Sequence, residues 1–288
     1  MRRFTKEIKW LPIALAVGLS LFIGSQAKRT FAGEDEGDLL NYSFAVWLGS
    51  GVYKVSDADK RLAVLRVPLG YTLRDAKDYS LPLYDRIGFK LLMPAVLAYQ
   101  NETESNTDFG AGAFVPGLEV QIPVLKYWTL KPFAQFGVGK DTGGGDFNYV
   151  YGGGIGSLIR IPWHKFVFSI GNSVVLAEDR NANSKDTYSF SLFNAGLDVR
   201  HPTNLTLFNR KLDLSGYFIY NDFNQNKAEL LSDDGDTSSI RYIYEAGMTI
   251  GVEKPVSIWK VDFNRVGVGY RWGNGGFKGI SFNMGFPF

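Results

Sequence analysis

The sequence predicts an all-β fold: a transmembrane, antiparallel, up-and-down β-barrel of twelve strands. Apolar and polar residues alternate in twelve segments of about ten to fourteen residues, the side-chain period of strands with two unlike faces. The chain has 33 glycines, 22 phenylalanines, 15 tyrosines and 6 tryptophans, and almost no helical periodicity. Beyond the N-terminal region no run of 18 apolar residues occurs, so strands and not helices must cross the membrane.

The N-terminal region predicts export. The first nine residues include four basic ones, an apolar run occupies 10–24, and Ser25-Gln26-Ala27 then has a small residue on each side of a glutamine. This order predicts a cleaved signal peptide over residues 1–27, with a second possible cleavage site after Ala32. Residues 28–40 are predicted to form an acidic periplasmic tail, and residues 41–288 the barrel. Without residues 1–27 the formal charge is −1, so no basic field predicts a nucleic-acid partner.

Twelve strands and two kinds of connection follow from the alternation. The predicted strands are centred on 42–53, 62–73, 87–99, 109–122, 129–139, 147–161, 166–177, 187–200, 212–221, 239–253, 261–272 and 277–288. Short connections that begin with proline occupy 123–128, 162–165, 202–211 and 255–260, whereas longer polar ones occupy 101–108, 141–146, 178–186 and 222–239. Short periplasmic turns opposite longer outer loops are typical of transmembrane barrels.

Three prolines oppose a regular ladder. Pro68, Pro94 and Pro116 fall inside predicted strands, where each removes a backbone donor. They predict bulges or strand ends in the second to fourth strands.

Charged residues collect on the face of the strands that we assign to the lumen. A charge on the lipid face costs about 2–4 kcal/mol at the bilayer midplane, which explains the segregation. The predicted lumen-lining residues are Arg66, Lys90, Glu119, Lys131, Arg160, Asp198, Arg200, Asp213, Arg241, Glu245, Glu253, Arg265 and Arg271. Eight of the thirteen are basic, so an open pore would mildly prefer anions.

Hairpin geometry predicts partners for some of these charges. Glu245 is expected opposite Arg271, and Glu253 near Arg265. Glu119 is expected opposite Lys131. Two interpretations of the charged face stay open: an internal ion-pair network that stiffens the barrel, or the charged wall of a pore.

The C-terminal segment 280–288 places a large apolar residue at every second position, with small or polar residues between. It resembles the C-terminal signature of bacterial outer-membrane β-barrels, in which Phe282, Met284, Phe286 and Phe288 would form the membrane-insertion signal. The resemblance implies the outer membrane of a Gram-negative bacterium, and contacts with lipid, lipopolysaccharide and the barrel-insertion machinery. A soluble β-sandwich also has many short strands and is the alternative fold.

No catalytic or cofactor site is predicted. The chain has no cysteine, and its two histidines, His164 and His201, lie in the proline-initiated turns, away from the outer rim. Asp233-Asp234-Gly235-Asp236 lacks the ligand spacing of a calcium loop. The sequence therefore predicts a non-enzymatic, porin-like passive channel for small hydrophilic solutes, with a mild preference for anionic ones. The alternative is a closed structural or partner-binding barrel that anchors an outer-membrane assembly.

Overall fold

The computed structural model describes residues 42–56, 60–102, 108–141, 147–183, 187–207, 209–225, 229–231, 237–258 and 261–285. The predicted signal peptide and the N-terminal tail lie outside these residues. The helices are α1 (Tyr42–Leu48) and α2 (Leu83–Arg86). The strands are β1 (Gly51–Val55), β2 (Lys60–Arg74), β3 (Gly88–Glu102), β4 (Asp108–Phe114), β5 (Gly117–Leu125), β6 (Trp128–Asp141), β7 (Phe147–Trp163), β8 (Phe166–Asn181), β9 (Thr187–Leu207), β10 (Arg210–Gln225), β11 (Glu229–Leu231), β12 (Thr237–Ser239), β13 (Tyr242–Ile258), β14 (Val261–Gly273) and β15 (Phe277–Met284). Within the described part of the chain, no helix is long and apolar enough to span a bilayer.

The strands close into one antiparallel barrel. From β6 to β10 and from β13 to β15 consecutive strands pair, β10 pairs with β13, β1 pairs with β15 and with β2, and the pairing of β2 with β3 completes the ring. Segments β4 and β5 are two halves of one interrupted strand, because both pair with β3 and with β6. The ring therefore has twelve strands, which confirms the predicted fold. Strands β11 and β12 form a separate hairpin within the connection from β10 to β13.

The connections alternate between two rims, as predicted. The rim of the short turns, called the turn side, carries the turns after β5, β7 and β9; the opposite rim is called the loop side. The bounds of two short connections were wrong: most of the predicted connection 255–260 is strand, because β13 continues to Ile258, and 202–211 differs in the same way. The predicted connection 202–211 is mostly strand, because β9 continues to Leu207 and pairs with β10 across a bulge beside Asp213. The long connection between β2 and β3 also lies on the turn side and contains α2.

The first predicted strand, 42–53, was wrong over its first half. Residues Tyr42–Leu48 form α1, and strand β1 begins only at Gly51. The reversal between them occurs at Gly49, whose φ of +87° is a conformation that glycine adopts without strain. The chain therefore enters the lumen as a helix and joins the wall about halfway along the barrel.

The three strand prolines lie side by side. Pro68 is directly opposite Pro94, and the carbonyl of Pro94 accepts a hydrogen bond from Val115 N, next to Pro116. The backbone N and O of Arg66 face the β1 side of β2, so the N–H that Pro68 lacks would face the same side, where the described residues hold no pairing strand. The prolines thus occupy an unpaired edge and a strand interruption, where they remove few ladder hydrogen bonds.

The two faces of the wall differ as the alternation predicts. The outward side chains are large, apolar and exposed: Leu97, Leu176, Met248, Val266 and Phe282 each expose at least half of their surface. Such a continuous apolar exterior is stable only against lipid. The inward side chains include an apolar cluster around α1, together with buried polar and charged residues such as Asp179, Glu245 and Arg265.

Candidate functional site: the lumen

The loop-side half of the lumen is filled by α1. Its residues Phe44, Ala45, Val46 and Leu48 are all buried and Trp47 is half-buried, so the described side chains of the helix form no polar face. It packs mainly against β2, β3, β4, β7 and β8. The inward residues of the barrel that join this apolar cluster include Leu62, Val64, Val96, Ala98, Val150, Val175, Phe190, Leu192, Phe223 and Ile243.

Aromatic contacts fix both ends of α1. Phe44 packs against Phe223, with ring centroids 5.1 Å apart, near the loop-side ends of β9 and β10. Trp47 packs against Phe133, at 5.6 Å. Its indole also lies over Gly152 on β7, where an added Cβ would come within 2.8 Å of the ring. Glycine at this position therefore makes room for the helix.

A buried ion pair joins the end of α1 to the wall. Arg271 on β14 donates through Nε to Glu245 on β13, at 2.6 Å, which confirms the predicted pair. Its Nη1 donates to the carbonyl of Leu48, the last residue of α1, and to the hydroxyl of Tyr53 at 3.1 Å. One guanidinium thus satisfies a carbonyl that the helix end leaves free.

Glu245 is fully buried and completely hydrogen-bonded. Besides Arg271, its carboxylate accepts from the Tyr217 hydroxyl (2.7 Å), the Ser281 hydroxyl (2.6 Å) and the Asn283 amide (3.0 Å). These donors come from β10 and β15, so the cluster crosses four consecutive strands. Buried charge is tolerated when it is paired and hydrogen-bonded in this way.

A second ion cluster lies closer to the turn side. Arg265 donates to Asp213 at 2.5 Å and to the hydroxyls of Ser215 and Thr249 at 2.6 Å, and lies 3.9 Å from Asp198. The predicted partner was Glu253, whose side chain lies outside the described part of the structure. A bulge between Gly251 and Val256 interrupts the register there.

A group of cations lines the turn-side end of the lumen: Lys90, Lys131, Arg160 and Arg200. Lys131 lies within electrostatic reach of Lys90, Arg160 and Glu119, and Arg160 within reach of Arg200. The prediction that Glu119 is opposite Lys131 was wrong. Glu119 pairs with Lys90 on one side and Phe133 on the other, because the hairpin turns at residues 126–127 rather than at Leu125.

The other predicted lumen and insertion-signal residues differ in where they lie. Arg66 lies on the inward face of β2. Arg241 lies before the first residue of β13, at the loop-side rim, with a side chain 73% exposed and 3.8 Å from Asp222. It therefore does not line the lumen. In the predicted insertion signal, Phe282 faces outward and Met284 is half-buried, whereas Phe286 and Phe288 lie outside the described residues.

Sequence reasoning missed α1 and the residues that attach it. Ser50 and Tyr53 were assigned to a regular first strand, and Trp47 was given no role. For Tyr53 the inward alternation was a usable signal. For Trp47 and Ser50 the alternation contains no such signal, because the positions of both depend on the reversal of the chain at Gly49.

Comparisons with known proteins define the class but no family. The structure is similar to that of the β-domain of the Bordetella autotransporter BrkA, with a TM-score of 0.55 over 81% of this chain and 92% of that one. The sequences are 11% identical, so the likeness concerns the fold alone. No protein-family description matches the sequence. No curated protein matches it either. The fold is that of an outer-membrane β-barrel with a helix in its lumen.

Proposed function

We propose that the chain is a closed, non-enzymatic barrel of the Gram-negative outer membrane that anchors or binds another envelope protein. The same proposal includes three further steps: a signal peptide exports the chain, the insertion machinery delivers it to the membrane, and the barrel contacts lipopolysaccharide there. The observation that carries it is the packing of α1, which fills the loop-side half of the lumen with buried apolar side chains.

The energetics of α1 argue against a permanently open pore. Full burial of Phe44, Val46 and Leu48 stabilises the docked helix by roughly 1.5–3 kcal/mol for each side chain. Even the lower figures add to about 4–5 kcal/mol of favourable burial, which opposes release of the helix from the lumen. The hydrogen bond from Arg271 to Leu48 adds to this.

A passive channel for small anionic solutes is the second candidate. It is supported by the four cations at the turn-side end and by a polar cavity of about 180 Å³ beside α1. Conduction through the barrel requires α1 to move, because the apolar cluster fills the lumen on the loop side.

Single-channel recording in planar bilayers separates the two candidates. We expect the wild-type protein to show no conductance steps. Val46→Asp places a charge in the apolar cluster and should produce steps with mild anion selectivity. Val46→Ile, which keeps the site apolar, is the matched control and should stay closed. Frequent steps of porin size in the wild-type protein would contradict the closed barrel and support the channel.

Partner binding needs its own test. Chemical cross-linking in native outer membranes, followed by purification of the barrel, should recover a second envelope protein in a fixed ratio. Recovery of the single chain alone would contradict an anchoring role.

A further inference from the structure

Among the described residues, the ladder of backbone pairs is interrupted beside the short first strand, although β14 also approaches β2 there. Strand β1 contributes five residues, from Gly51 to Val55, which pair with β15 on one side and with β2 on the other. Beyond Val64, strand β2 continues towards the turn side to Arg74, and among the described residues no strand pairs with this part of its outer edge. We call the gap between 65–74 of β2 and 282–284 of β15 the seam.

Ser50 ends the regular wall at the top of the seam. Its hydroxyl donates to the Arg66 carbonyl and accepts from the Arg66 amide, both at 2.9 Å, and its carbonyl accepts from Phe282 N at 2.9 Å. Ser50 therefore joins the edge of β2 to the edge of β15, and the preceding residue, Gly49, turns the chain into the lumen. The seam begins where the chain leaves the wall.

The polar cavity beside α1 lies at this seam. Residues of the lumen line it, including Trp47, Arg66 and Asn221, together with Phe282 and Met284 of β15. The side chain of Phe282 points outward, towards lipid, and half of its surface is exposed. Residues of the lumen and two residues of β15 thus line one cavity next to the seam.

Two hydrogen-bond donors of the cavity lining have no partner among the described residues. The buried Nε of Arg66 and the buried Nε1 of Trp47 each lack an acceptor. Glu245 also lines the cavity, but Arg271 already pairs with it at 2.6 Å. A desolvated guanidinium without an anion is costly, whereas an oxyanion placed between two donors would satisfy both.

We propose that this cavity binds an oxyanion, a phosphate or a carboxylate, through Arg66 and Trp47. Arginine suits such a ligand because its planar fork matches the oxygens of a phosphate. Two sources share this chemistry. A membrane lipid would place its phosphate in the cavity through the seam, with its acyl chains against the apolar exterior. A free phosphate would arrive through the turn-side end of the lumen, past Lys131 and Arg160.

Native mass spectrometry of the full barrel in lipid-free detergent tests the site. The probes are phosphatidylglycerol, a diacylglycerol with the same acyl chains, and inorganic phosphate. The variants are Arg66→Gln and Trp47→Phe, of which the second removes the indole donor and keeps an aromatic ring. Arg61→Gln, an exposed arginine of the same strand with outward parity, is the matched control. Heat-modifiable gel mobility verifies that each variant is folded.

We expect one phosphatidylglycerol per barrel and none of the diacylglycerol. Arg66→Gln should weaken binding at least about tenfold, as the loss of a charged hydrogen bond predicts. Trp47→Phe should weaken it severalfold, and Arg61→Gln should leave it unchanged. Inorganic phosphate that binds with the same dependence on Arg66, without lipid binding, would support the oxyanion site and assign a free ligand to it. Binding that is equal in wild type and both variants, or equal for diacylglycerol, overturns the proposal.

Discussion

Removing the carboxylate of Glu245 should destabilise the barrel strongly. In Glu245→Ala, the guanidinium of Arg271 loses its only acidic partner among the described residues, and three further donors lose their acceptor. Breaking a buried ion pair from one side costs about 3–5 kcal/mol, because the remaining charge stays desolvated. The free energy of unfolding, measured by urea titration in lipid vesicles with gel mobility as the readout, should fall by this amount.

An exposed ion pair of the same barrel is the control. Arg241 lies 3.8 Å from Asp222 with most of its side chain in solvent, so Arg241→Ala should cost at most about 1 kcal/mol. If Glu245→Ala cost no more than Arg241→Ala, the argument that the cluster is desolvated and holds four strands together would be refuted. The double variant Glu245→Ala with Arg271→Met should recover part of the loss, because it removes the uncompensated charge.

Three further predictions concern the helix, its reversal and the lipid face. Phe44→Ala should lower the free energy of unfolding by about 3–5 kcal/mol because it leaves a cavity among buried rings; a change below 1 kcal/mol in the same urea titration would contradict the docking of α1. Gly49→Ala should cost about 1–2 kcal/mol because φ is +87° there, whereas Gly216→Ala, where a Cβ meets no atom within 4 Å, is the control. Phe282→Arg should cost up to about 4 kcal/mol in vesicles because it places a charge on the lipid face, and equal stability of variant and wild type would argue against that placement.

Most of the fold prediction rests on the alternation of apolar and polar residues with a period of two. Strand number, the inward parity and the pairing of Glu245 with Arg271 all follow from alternation and hairpin geometry, because a one-residue slip would move every charge to the lipid face. The pairing registers near bulges could not be predicted from alternation and hairpin geometry. Glu119 has other neighbours than predicted because the position of a turn or bulge shifts the pairing by whole residues, and the ion pair of Arg265 with Asp213 was not indicated by hairpin geometry.

The helix could not be predicted from the pattern of its residues. Between Phe44 and Leu48 every residue is apolar, which fits a buried strand and a buried helix equally well. The segment is helical here because the lumen surrounds it on all sides, and only a helix satisfies its own backbone hydrogen bonds in such a place. That information lies in the assembled barrel. It is absent from the local sequence.

The attachment of α1 to β1 through Gly49 and Ser50 has a consequence for the order of assembly. The closing strand of the barrel carries the helix with it, since only two residues separate them. The pairing of β1 with β15 and the filling of the lumen by α1 are then a single event. A sheet that closed before α1 had entered the lumen would leave the helix outside the barrel. We therefore expect α1 to dock on the open sheet in the same step in which the five residue pairs of β1 with β15 form.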